Sequence, residues 1–249
     1  MSIQEIYKKY SIMPNLREHQ LRVAGVAKII CKSLQEKEVE ADTIVIACLL
    51  HDMGNIIKFK LELFPEFLKP EGLDYWKEIQ EEYVRKYGKD EHVATIQIAK
   101  EVLSQYCYSD PPIGGEESRK DLNTSDKPQY DKERIIELIH AIGFSNAKQN
   151  YETKDFGKKI AAYADMRVKP SGVTSMKERL DDGRNRFSRL QKHEPVVFED
   201  MSNYLYAIEE QIFTVSNISP DDITENNVQR SIPKVQSVFR THSSDQKDS

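Results

Sequence analysis

The chain has 249 residues, enough to bury a sizeable core, with 39% hydrophobic, 31% charged and 9% aromatic residues. Acidic residues outnumber basic ones 41 to 36, and a formal net charge of −5 gives no overall positive field to draw in a nucleic-acid backbone, so a bulk DNA or RNA binder is disfavoured. The longest strongly apolar run, Ile44 to Leu50, is far too short to cross a bilayer, the start MSIQEIYKKY has no apolar signal region, and Cys31, Cys48 and Cys107 form no CxxC pair; a cytoplasmic, unsecreted protein with reduced thiols and no membrane contact is expected.

Apolar residues recur at helical spacing along most of the chain, and period-2 alternation is scarce, so an all-α fold is expected. A long helix begins after Pro14, with Asn15 as N-cap, Glu18 three residues on, and Leu16, Val23, Ala27, Ile30 and Leu34 on one face. His19 lies at the edge of that face. Asp42 caps the next helix, IVIACLLHD, which is apolar all round and should run through the core until Gly54 stops it, leaving His51 and Asp52 in its last turn. Residues 55–70, with Pro65 and Pro70, read as a short helix in an irregular excursion.

An amphipathic helix follows with Leu73, Trp76, Ile79, Tyr83 and Tyr87, and Gly88 ends it. This stripe could stack a nucleobase, but helical spacing favours core packing. Asp90 caps a helix in which His92, Ile96, Ala99 and Leu103 share a face. Residues 109–130 read as a loop, and 131–142 as a short helix carrying His140, with Gly143 as its stop. The run DFGKKIAAYADMRV places Ala161, Asp165 and Val168 together, with Pro170 ending the helix. Two more helices are expected near 174–191 and 199–214. The six Lys or Arg between Lys177 and Lys192 read as a solvated face. Residues 1–215 form one domain on this reading, and the polar stretch 216–249 a flexible or disordered tail.

Four of the six histidines and two aspartates form a broken series through these helices: His19, His51-Asp52, His92, His140 and Asp165. Neutral imidazoles and carboxylates without thiolate suit hard or borderline divalent cations (Mn, Fe, Co, Ni, Zn or Mg), and the residues leave the identity open, with one or two ions possible. A cation also suits the carbonyl-rich C-terminus of the helix ending at His51. Taken alone, His92 or His140 reads more readily as an ordinary core or surface residue; His193 and His242 stand outside the series and read as solvated.

An isolated His, a His-Asp doublet and a distant Asp make the sequence resemble the HD-domain metal-dependent phosphohydrolases. The doublet, His51-Asp52-Met53-Gly54, is close to the His-Asp-Ile-Gly form of many bacterial members, and the likeness spans roughly residues 15–190. The resemblance implies that His19, His51, Asp52 and Asp165 hold a first metal. It implies that His92 and His140 add a second, with Asp52 bridging and positioning a metal-bound hydroxide that attacks phosphorus. His140-Ala141 replaces the histidine pair of trinuclear cyclic-dinucleotide phosphodiesterases, so no third metal is implied. Arg167, Lys169, Lys58 and Arg22 are candidate phosphate contacts.

The expected reaction is hydrolysis of a phosphate ester or anhydride in a small metabolite, a nucleotide above all. His-X-X-Gly at 140–143 with Ala164-Asp165 and Lys169-Pro170 looks like the members that split dinucleoside tetraphosphates, and nucleoside monophosphates are the close competitor. The alternatives are a single-strand nuclease, disfavoured by the acidic balance, and a regulatory module that binds nucleotide and metal without turnover.

Overall fold

The computed structural model describes residues 2–35, 38–106, 131–190 and 195–239. The loop reading for 109–130, Cys107, His193 and His242 therefore lie outside the described residues, as does the chain beyond Phe239. Helices dominate, and the strand pairing among the described residues is a two-stranded hairpin and an isolated bridge between Leu34 and Ser216.

Helix α1 (Ile3–Lys9), which the periodicity did not reveal, starts with a capping box: Ser2 Oγ accepts from Glu5 N at 3.3 Å, and Ser2 N donates to Glu5 Oε2 at 2.6 Å. Its Tyr7 is buried and donates to Leu49 O at 2.8 Å, pinning α1 to the last turn of helix α3 (Ala41–Leu50). Helix α2 (Pro14–Ser33) begins two residues earlier than expected. Met13 is its N-cap and Pro14 its first residue, where a missing N–H costs nothing, so Asn15 is inside the helix rather than its cap. Asp42 likewise lies in the first turn of α3, where it accepts from Lys28 Nζ at 2.6 Å, and Glu40 is the N-cap.

Every residue from Thr43 to Leu50 is buried, so α3 is the central rod of the core. It is covered by α2, α6 (Lys132–Ala141) and α8 (Phe156–Met166). The excursion after Gly54 makes three short 3₁₀ turns, Asn55–Lys58, Leu61–Leu63 and Pro65–Leu68. It leads into α4 (Leu73–Tyr87), whose Trp76, Tyr83 and Tyr87 are buried as core, with Trp76 Nε1 donating to Leu68 O at 3.2 Å. Gly88, at φ 90°, ends α4 in a conformation that a side chain would strain. In α5 (Glu91–Tyr106), Asp90 caps the N–H groups of His92 and Val93 at 2.9 and 2.8 Å.

Helix α7 (Ala147–Glu152) follows α6, and α8 ends at Met166, before Val168. Val168 is instead paired with Val173 in a hairpin of β1 (Val168–Lys169) and β2 (Gly172–Val173). Helices α9 (Met176–Leu190) and α10 (Pro195–Thr214) fall close to the expected spans. The segment from Ser216, read from composition as a tail, carries α11 (Glu225–Gln236), which packs along α2 and buries Val228 and Val235. This second cover explains why burial on α2 extends beyond one stripe to Ala24, Gly25 and Val26.

Candidate metal centre

The doublet sits where α3 runs out. His51 is the C-cap of α3 and keeps helical geometry, at φ −65° and ψ −21°. Its ring is 3% exposed, and Nδ1 lies 2.7 Å from Cys48 O. That carbonyl can only accept, so Nδ1 carries the proton, and in the neutral ring Nε2 has the lone pair. His51 Nε2 is buried and has no hydrogen-bond partner. A buried nitrogen aimed at other donors by a fixed tautomer is what a metal-binding imidazole requires.

Three other donors converge on it. Asp165, next to last in α8, places Oδ1 3.4 Å from His51 Nε2 and 3.0 Å from His19 Nε2. Asp52 Oδ2 is 3.7 Å from both imidazole nitrogens. Around a cation with bonds of ~2.1 Å, adjacent donors stand ~3.0 Å apart in octahedral and ~3.4 Å in tetrahedral geometry. His19, His51 and Asp165 offer donor atoms that all lie within 4.8 Å of one another, a cluster compatible with a divalent ion, and Asp52 Oδ2 stands beside it.

Charge follows the same pattern. Burial opposes ionisation of Asp165, but His19 and His51 hold its carboxyl well below the usual carboxylate range. Burial also opposes protonation of His51, yet Asp52 and Asp165 outweigh it and raise the imidazole to about 9. The cluster is thus a concentration of negative charge that takes up a proton when no cation is present.

The other two histidines form a separate pair. His92, in the first turn of α5, has Nε2 2.8 Å from His140 Nδ1 in the last turn of α6, with ring centroids 4.9 Å apart. Both residues are exposed. Burial, then His92 and Lys100, push His140 below the ordinary histidine value, which keeps it neutral and able to ligate. The six donors therefore fall into two spatial sets, a largely buried group of four around buried His51 and an exposed pair.

Gly54 joins the two groups. Its φ of −95° is open to any residue, so its role is not to end a helix in the left-handed region. A Cβ there would lie 2.4 Å from Glu91 O and 2.7 Å from Thr95 N. Only glycine lets the turn after the doublet press onto the first turn of α5, where Gly54 N donates to Thr95 Oγ1 at 2.9 Å.

The expected phosphate contacts divide as well. Arg167 is 3% exposed, and its guanidinium donates to Thr174 O, Tyr163 Oη, Pro220 O and Ile223 O. It is a structural cation turned away from the site, because its position as the C-cap of α8 directs it under the hairpin. Arg22 pairs with Glu225 at 2.9 Å and Glu18 at 3.1 Å. Lys58 is over half exposed and reaches Glu91, beside His92, at 3.1 Å, while Lys169 is half-buried in β1.

The HD domain family model matches residues 16–165, from the start of α2 to the last donor of the buried group. The chain belongs to the HD-domain superfamily of metal-dependent phosphohydrolases. HD domains bind divalent metals, and the His19, His51 and Asp165 cluster of this HD domain is compatible with one. The family is generally one of metal-dependent hydrolases acting on small phosphorylated substrates. No curated protein and no solved structure matches the chain. Among the described residues no helix is long and apolar enough to cross a membrane.

Proposed function

We propose that this HD domain hydrolyses a phosphate ester or anhydride in a small metabolite, with a nucleotide, either a dinucleoside polyphosphate or a nucleoside monophosphate, as the substrate class. The observation that carries the reading is His51: a buried imidazole whose tautomer is set by Cys48 O and whose free nitrogen faces two carboxylates and a second imidazole. A structural histidine would have satisfied that nitrogen.

A divalent cation, when bound, supplies Lewis acidity and offsets phosphate charge. The side chains have distinct tasks around it. His19, His51 and Asp165 would hold the ion, their helices fixing the donors before substrate arrives. Asp52 has the most accessible side chain of the four, at 20% exposed, which supports a role for it in taking a hydrogen bond from the attacking water and accepting its proton. His92 and His140 would hold a second ion at the rim. Of the four expected cations, Arg167 is committed to carbonyls and Arg22 to carboxylates, so exposed Lys58, which reaches Glu91 beside His92, is the cation we assign to phosphate.

The test is a screen of metal-stripped protein reloaded with Mn²⁺, Co²⁺, Ni²⁺, Zn²⁺ or Mg²⁺ against nucleoside mono- and polyphosphates, dinucleotides and short single strands. Turnover of a small phosphorylated compound that falls about 100-fold or more in Asp52→Ala is expected. Activity untouched by Asp52→Ala overturns the role of that residue. Tight metal binding with no turnover of any phosphoester replaces the enzyme with a sensor.

A further inference from the structure

The family match stops at Asp165, yet the chain beyond it returns to the helices that carry the donors. Helix α11 lies so close to α2 that a Cβ on Gly25 would come within 2.9 Å of both Val228 Cγ1 and Ser231 Oγ. At the first residue of α11, Glu225 spreads its carboxylate between two elements. Its Oε1 accepts from Arg22 Nε at 2.9 Å, and its Oε2 accepts from Val173 N at 2.8 Å.

Those two partners matter because of where they are. Arg22 lies one turn beyond His19 on α2. Val173 pairs with Val168, three residues past Asp165. One carboxylate thus ties the turn next to His19 to the hairpin next to Asp165, and Arg167 adds a second tie from the end of α8 to Pro220 O and Ile223 O.

We infer that residues 217–239 brace the metal centre, with Glu225 as a positioning residue that fixes His19 against Asp165. This rests on the metal-centre reading above. The brace touches no donor atom. It acts through the relation of α2 to α8, on which the 3.0 Å spacing of His19 Nε2 and Asp165 Oδ1 depends. Supporting groups of this kind orient ligands, and losing them weakens metal binding although every ligand is still present.

A matched ion pair on the same helix separates bracing from general stability. Lys28 and Asp42 link α2 to α3 at 2.6 Å, and the side chains are 16% and 47% exposed, against 16% and 42% for Arg22 and Glu225. Lys28 is nine residues past His19, ~13 Å along the helix. The experiment titrates the metal-stripped full chain with Co²⁺ alone, by calorimetry and by the visible ligand-field bands that report coordination geometry. Wild type is compared with Glu225→Gln, Arg22→Met and Asp42→Asn.

The brace predicts that Glu225→Gln and Arg22→Met each weaken Co²⁺ binding about 10–100-fold and alter the bands at saturation. Asp42→Asn should stay within about twofold of wild type with unaltered bands. Long-range charge alone predicts opposite signs, because Glu225→Gln removes a negative charge and Arg22→Met a positive one. Opposite shifts therefore overturn the brace, as do variants that bind like wild type. Wild-type protein that takes up no Co²⁺ overturns the metal centre and the brace with it, whereas unchanged variants beside a binding wild type overturn the brace alone.

Discussion

The largely buried group of four donors and the exposed histidine pair each contain two imidazoles, yet the fold treats those imidazoles differently. His51 is held by a carbonyl behind it, and Asp165 is hydrogen-bonded and surrounded by helices α2, α3 and α8. His92 and His140 have chiefly each other. Preorganisation explains the contrast: a donor fixed before the ion arrives loses little entropy on binding, whereas an exposed pair must be ordered and must give up its mutual hydrogen bond. The buried group should therefore bind first and tightly, and the pair second and weakly.

The largest effect expected from breaking this contrast is at Asp165. Asp165→Asn keeps the shape of the side chain but removes the charge between His19 and His51. Since supporting groups alone cost 10–100-fold, affinity for Mn²⁺ or Co²⁺ should fall by more than about 100-fold, read by calorimetry. Near-wild-type affinity would mean that the buried group is not the primary site.

Next in size is the pH response of metal-free protein. His51 is raised to about 9 in the fold against about 6.5 unfolded, so its contribution to stability is fully present below pH 6.5 and lost as pH rises through 9. Asp165 is depressed, so its contribution is present above about pH 4 and lost only as pH falls through its lower folded value. In chelator, the unfolding temperature should be highest between about pH 4 and 6.5 and should decline towards pH 9, by on the order of 2–3 kcal/mol in stability. A saturating divalent ion should reverse the alkaline limb, since the ion takes the place of the His51 proton. A flat metal-free profile between pH 6.5 and 9 would show that the carboxylates do not hold that proton.

The joint between the two groups should respond by a smaller amount. Gly54→Ala forces a methyl against Glu91 O and Thr95 N, backbone atoms that cannot swing aside. A loss of about 1–3 kcal/mol in stability is expected, with the second, weaker metal event more affected than the first because α5 is displaced. Equal loss of both events would show that the groups are mechanically one.

Much of this was legible in the residues, and the gaps have physical causes. The all-apolar run of α3, the Asp90 cap and the Gly88 stop were readable because each depends on local chemistry. The doublet and its distant partners were readable as donors, and the resemblance already separated His92 and His140 from the other four, but the difference in exposure between the two sets was not readable, because burial depends on which helices cover which faces. Arg167 was misplaced for the same reason: nearness in sequence to Asp165 says nothing of direction, and its side chain runs under the hairpin. Helix α1 left a usable sign in Ser2 and Glu5, a capping box two residues into the chain. Helix α11 left a fainter one, Val228, Ile232 and Val235 at spacings of four and three in a polar stretch interrupted by Pro233, and that stripe gains meaning only once α2 lies opposite.

The smallest expected change sharpens the comparison most. His92→Ala removes one member of the exposed pair, and His140, already held neutral, is left as a lone imidazole at the rim. If the pair is a second site, calorimetry should show metal uptake falling from two events to one, with affinity in the first event changed by less than about tenfold, since His92 makes no hydrogen bond to any of the four buried donors. Turnover should fall further than first-site affinity, because a phosphate facing one ion loses the opposing charge that a second supplies. A loss of first-site affinity as large as that of Asp165→Asn would show instead that all six donors act on one cation, and the contrast between buried and exposed histidines would have no bearing on the chemistry.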